Sequence, residues 1–218
     1  MNKGRVEAFS DGVFGFAITL LVVTIAQPDD YRHLAQNLSQ HWPSLAAYVV
    51  SFAIIGIMWL NHHSVFSHFQ KVDRNLIYLN LLLLMTIAFL PYPTGVLGQA
   101  LARGEGERTA AVVYGSTMAA NGLAWAGLWL YASRGRRLLV TSFPEEERRT
   151  ATLLFTGGAA VYAGAVALAF ANAYAFLVLQ AALAAYYALD PLSRRVARAP
   201  VTSPGHEPSP SPSPALDE

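Results

Sequence analysis

RVEAFSDGVFGFAITLLVVTIA, residues 5–26, opens with three ionisable side chains, Arg5, Glu7 and Asp11, and then runs to Ala26 without another. A bilayer core of about 30 Å needs roughly 20 mostly apolar helical residues, so this run is long enough to cross one. A cleaved signal sequence fits poorly. Glu7 and Asp11 fall inside the segment, and Pro28-Asp29-Asp30 is a poor cleavage context.

Outward from this run the pattern repeats. Pro43 to Gln70, Asn75 to Ala102, Thr109 to Ser133 and Thr150 to Leu189 carry no Asp, Glu, Lys or Arg. The last of these would make a straight helix of about 60 Å, near twice the core thickness, so it must fold back. Ala171-Asn172-Ala173 is the natural place. The reading is an all-α integral membrane protein with six transmembrane helices, at about 5–26, 44–61, 75–98, 109–132, 151–170 and 173–190. They form one domain over residues 1–198. Residues 199–218, rich in Pro and Ser, read as a disordered tail.

Composition agrees. Of the 218 residues 54% are hydrophobic and 13% charged, against about 25% charged in an ordinary soluble domain. This argues against a water-soluble enzyme. The absence of cysteine excludes disulfides, thiolate metal sites and a cysteine nucleophile. A net charge of +1 leaves no face basic enough to neutralise several phosphates, which excludes a nucleic-acid binder.

Basic residues orient the chain. With a cytoplasmic N-terminus and six crossings, Lys3, Arg5, Lys71, Arg74, Arg134, Arg136, Arg137, Arg148, Arg149, Arg194, Arg195 and Arg198 are inside. Only Arg32, Arg103 and Arg108 are outside. Both termini are therefore expected in the cytoplasm and the protein in the cell membrane.

Ionisable groups inside a spanning helix are costly and mark function. Asp11 must be paired, hydrogen-bonded or protonated. At about 100° per residue, Phe9, Phe16, Leu20, Val23 and Gln27 share one stripe of the first helix. Thr19 lies about 60° from Phe16, and Asp11 about 140° away. If the Phe16 stripe faces a pore, Asp11 faces into the bundle as a structural or gating group. Trp59, Asn61, His62 and His63 stand at the same depth on the second helix, and Asn80 about one turn into the third. An indole or imidazole donor there would satisfy the carboxylate; the plainer reading is an interfacial aromatic belt. Adjacent His62 and His63 point about 100° apart and have no third ligand at sensible spacing, so no metal site is expected. No nucleophile elbow, phosphate loop or paired-carboxylate motif appears, and Glu145-Glu146-Glu147 reads as a solvated helix start after Pro144.

The string from Arg5 through Phe9-Ser10-Asp11 to Thr19-Leu20-Leu21 resembles the first-helix signature of the transmembrane protein 175 family of potassium channels. Trp59-Leu60-Asn61-His62-His63 with Phe66 resembles the family's second-helix motif, and Asn75 to Pro93 its third helix. Residues 3 to 95 carry the likeness; the later helices match only as apolar spans. One six-helix unit is what the prokaryotic members carry.

The resemblance implies a homotetramer with four first helices around a pore, constricted by Phe16, Leu20 and Val23. Phe16 departs from the family's usual Ile. Thr19 matches a hydroxyl ring, and Arg5, Phe9, Ser10 and Asp11 match a network joining the first helix to its neighbours, with Trp59, His62 and Asn80 as partners. No cofactor is expected, and no metal beyond permeant potassium. The implied mechanism is an apolar neck that blocks ions by dewetting and discriminates weakly between potassium and sodium. An Asp11–His62 contact would bias opening and make it pH-sensitive. The alternative is a proton-coupled secondary transporter with Asp11 as the protonatable site, against which the lack of a second broken helix or duplicated acid counts. A non-conducting assembly protein is a third class.

Overall fold

The computed structural model describes residues 2–25, 27, 32–136 and 138–189. The expected tail at 199–218, and Arg137, Arg194, Arg195 and Arg198, lie outside them.

The described residues are almost wholly helical. Helix α1 spans Lys3–Val23. The Asn2 side chain caps it by accepting from Gly4 N at 3.0 Å, which satisfies one of the N–H groups a helix start leaves unpaired. It ends short of the expected Ala26, where the Thr24 hydroxyl turns back to donate to Leu21 O at 2.7 Å. A short helix the sequence reading did not anticipate follows, α2, Leu34–Gln40. Helix α3, Trp42–Ser67, starts with Pro43 in its first turn, where a missing N–H is harmless. It outruns the expected 44–61 at both ends, since no proline or glycine halts it after Asn61.

The expected third helix is two segments, α4 Arg74–Phe89 and α5 Pro91–Arg103. Pro91 and Pro93 lack the N–H groups that would continue the ladder. Leu90, the one residue between α4 and α5, keeps a helical backbone (φ −58°, ψ −34°). The path therefore stays apolar and helical over Arg74–Arg103, 30 residues. Asp73 caps its start, accepting from Leu76 N at 2.9 Å, and Gly104 at φ 69° closes it.

Helix α6 spans Glu107–Ser133, α7 Glu145–Ala171 and α8 Ala173–Leu189. Asn172 is extended between the last two (φ −155°, ψ 116°), and its side chain accepts from Ala175 N at 2.9 Å to start α8. By length and apolarity, α1, α3, the Arg74–Arg103 path and α7 can each cross a membrane. Helix α6 is as long as α7 but carries Ser116, Thr117, Asn121 and three glycines. It packs against α4, α5, α7 and α8, while α1 packs on α3, α4 and α5.

Two features fix the frame. Gly98 lets α5 approach the start of α3, since a Cβ there would stand 2.8 Å from Ser44 Cα. Buried hydroxyls then tie three helices. Tyr114 of α6 and Ser51 of α3 lie 2.9 Å apart, and Thr94 of α5 lies 2.9 Å from both Ser51 Oγ and the Leu90 carbonyl. The Thr94 hydroxyl is aimed as donor at both Ser51 Oγ and the Leu90 carbonyl, and Ser51 and Tyr114 share the remaining contact. Between the ends of α3 and α6, a single antiparallel bridge pairs Phe69 with Leu139. Gln70 N donates to Leu138 O at 2.8 Å and Val140 N to His68 O at 3.0 Å.

Candidate pore site

Helix α1 has one face inward. Val6, Ser10, Phe14, Ala17 and Leu21 are buried and fall within about 80° of one another at 100° per residue. Thr19 lies about 180° from the centre of that face and is exposed on the single chain. Beside it Phe16 and Val23 are 63% and 76% exposed, and Phe9, Gly12 and Gly15 also face outward. Leu20 is half-buried at the edge of the packed face, so the expected stripe lies obliquely on the outward surface. The Thr19 hydroxyl donates to Phe16 O at 2.9 Å. Its proton is spent on its own helix, and its oxygen is left to the outside as an acceptor.

The inward face is held by a polar chain. His62 Nε2 lies 2.9 Å from Asn80 Oδ1, Asn80 Nδ2 donates to Ser10 Oγ at 3.0 Å, and Ser10 Oγ donates to Val6 O at 2.8 Å. All three side chains are buried. With Asn80 in this orientation, His62 Nε2 carries the proton. Its ring stacks on Phe66 at 4.2 Å and meets Phe14 edge-on at 5.4 Å. One chain of hydrogen bonds thus joins α3, α4 and α1.

Asp11 belongs to a different contact. Its Oδ1 accepts from Trp59 Nε1 at 2.9 Å. The expected Asp11–His62 hydrogen bond is not formed. His62 is three residues beyond Trp59, about 60° round α3, and its Nε2 turns inward to Asn80. Nor is Asp11 enclosed in the bundle: it is exposed on the single chain, at the seam where α1 meets α3. Arg5 and Phe9 are likewise exposed and stand outside the hydrogen-bonded chain through Ser10. Sequence reasoning missed a further buried bond, Asn121 Nδ2 donating to Thr86 Oγ1 at 2.7 Å. Two lone amide or hydroxyl residues in apolar runs were the only sign of it. Among the described residues no group of His, Asp and Glu could hold a metal ion.

The family model described as "Endosomal/lysosomal potassium channel TMEM175" matches residues 5–91. A protein named a potassium channel in Streptomyces collinus is 44% identical over 205 residues, 92% of this chain and 100% of that one. The chain belongs to the TMEM175 family. A second TMEM175 relative, named a potassium channel in Chamaesiphon minutus, is 38% identical over 192 residues, 86% of this chain and 94% of that protein. The crystal structure of a lysosomal potassium-selective channel TMEM175 homolog from Chamaesiphon minutus superposes with a TM-score of 0.77 at 37% identity, covering 86% of this chain and 96% of that one. The stretch matched by the TMEM175 model takes in α1, α3 and α4, and with them Ser10, Asp11, Trp59, His62 and Asn80.

Proposed function

We propose that the protein is a potassium channel of the cell membrane, a homotetramer in which four copies of α1 surround a central pore. The observation that carries this reading is the division of α1 into two faces. One is packed and hydrogen-bonded to α3 and α4; the other presents Phe16, Val23 and the Thr19 oxygen outward. Exposed apolar side chains on a helix already anchored at its back call for a partner or lipid. A ring of four such faces gives an apolar neck with hydroxyl oxygens inside it. Phe16, Leu20 and Val23 narrow and dry the pore when closed, and small helix shifts let it wet. Thr19 oxygens partly replace water around a cation, giving weak preference for potassium, whose shell is stripped more readily than that of sodium.

In this arrangement six segments cross the bilayer, α1, α3, α4 with α5, α6, α7 and α8, and both termini are cytoplasmic. Asp11 and Trp59 brace α1 against α3, and His62, Asn80 and Ser10 brace it against α4, while Arg5 and Phe9 meet neighbouring subunits. No pH-sensing role is assigned to His62, because its ring faces Asn80 and not the carboxylate.

The test is purified protein in liposomes, with potassium and sodium efflux measured separately and the oligomer's mass determined in detergent. A tetramer passing potassium faster than sodium supports the reading. Flux that saturates and needs a proton gradient would transfer it to a proton-coupled carrier built on Asp11.

A further inference from the structure

Behind α3, on the side away from α1, helices α3, α6, α7 and α8 enclose a cavity of about 130 Å³. Its walls are largely aromatic. Trp125 and Phe155 stack at 5.6 Å, and Trp129 lies 5.5 Å from Phe155. No charged residue lines it, yet Asn61, Asn121 and Tyr162 do. Asn121 spends its Nδ2 on Thr86, leaving its carbonyl oxygen, and no hydrogen bond reaches the Tyr162 hydroxyl among the described residues. Polar groups enclosed by hydrocarbon seek partners, and flat aromatic walls suit a ring. Half-buried residues of α3, α7 and α8 are among its lining, so the cavity is open at the surface of the single chain.

We infer that this cavity is a binding site for an uncharged, ring-sized amphiphile that partitions from the bilayer, an aromatic or alicyclic alcohol, and that its occupancy is felt at α1. The ring lies against the wall that Trp125, Trp129 and Phe155 form, and its hydroxyl bonds a polar side chain of the lining, of which Asn121 offers its free carbonyl oxygen. The link to α1 is short. Trp125 of the cavity wall meets the His62 ring at 6.2 Å, and His62 leads through Asn80 to Ser10 on α1. This last part rests on the channel reading; the site itself does not.

The experiment uses full-length protein in liposomes with 4-bromobenzyl alcohol, whose bromine quenches tryptophan fluorescence. Trp42 and Trp59 are exposed and give quenching linear in probe. A saturable component from Trp125 and Trp129 is expected on top of it. Ala184→Phe fills the cavity and removes that component. In the unmodified protein 4-bromotoluene, which lacks the hydroxyl, binds about five-fold or more weaker, the equivalent of one lost hydrogen bond. Saturating alcohol changes potassium efflux in the unmodified protein and not in Ala184→Phe. Purely linear quenching, or equal binding of the two probes, overturns the site. Saturable quenching with unchanged efflux in a conducting protein overturns the coupling. A protein that binds the alcohol saturably yet passes no potassium sinks the channel reading and leaves the site standing.

Discussion

The Trp59 indole and the Asp11 carboxylate meet at 2.9 Å, at an exposed seam between α1 and α3. His62, on the next turn of α3, instead joins a fully buried chain to Asn80 and Ser10. The first helix is therefore held twice, once by a charge-assisted bond at its edge and once by neutral bonds at its back. The two contacts have different susceptibilities. A charge-assisted bond at the seam is screened or strengthened by whatever surrounds it, whereas the buried chain has no substitute partners.

Trp59→Phe and Asp11→Ala each remove one end of the seam contact. Each is expected to lower stability by about 0.5–2 kcal/mol, and the double variant by less than the sum, with a coupling of about 0.5–1.5 kcal/mol. Thermal unfolding in detergent measures it. Additive effects would mean the indole and the carboxylate do not interact.

Asn80→Leu leaves the His62 N–H without its acceptor and Ser10 Oγ without its donor. The expected loss is about 1–3 kcal/mol, larger than for Ser10→Ala, which strands only the Asn80 amide nitrogen. Denaturant unfolding of the three proteins gives the order, and equal losses would place Asn80 outside the network.

How far the sequence reaches is clear from these residues. Asp11 is conspicuous because an acid two turns into an apolar run has few explanations, and matching depths bring Trp59, His62 and Asn80 to its neighbourhood. Depth does not say which donor turns toward the acid. That depends on the rotation of α3, set by packing of Phe66 and Phe14 around His62. The two faces of α1 follow from a period of 3.6 residues. Yet the obliquity of Leu20 appears only once Leu21 and Ala17 are seen to hold the buried side. The break at Leu90 is hidden because Pro91 and Pro93 interrupt hydrogen bonds without ending the apolar run. The cavity needs four helices at once, and no single stretch signals it.

Phe16→Ser and Val23→Ser put hydroxyls on the outward face of α1. Several-fold faster potassium efflux is expected from liposomes, with weaker discrimination against sodium, because a polar neck wets more easily. Val178→Ser, on an exposed position of α8, is the control and is expected to leave efflux unchanged. An equal rise in all three would argue for general leakiness and against a pore lined by α1.

Gly98→Ala drives a methyl to 2.8 Å from the Ser44 backbone. Backbone cannot yield as a flexible side chain does, so a loss of about 1–3 kcal/mol is expected. Gly127→Ala on α6 meets no atom within 4 Å and is expected to be neutral or to gain up to about 1 kcal/mol from reduced backbone freedom in the unfolded chain. Melting temperatures of the pair check the contrast, and an unshifted Gly98→Ala would show that α5 and α3 are less tightly pressed.

The polar, glycine-bearing character of α6 has a consequence for biosynthesis. A segment with Ser116, Thr117 and Asn121 is a poor candidate to leave a translocon alone, since such residues add unfavourably to its insertion free energy. Its release into lipid is then tied to helices made before and after it, α4 and α7, which carry Thr86 for Asn121 and Thr152 for Trp129. On this account α6 is the helix least able to enter the membrane unaided, and the order of synthesis supplies its escorts.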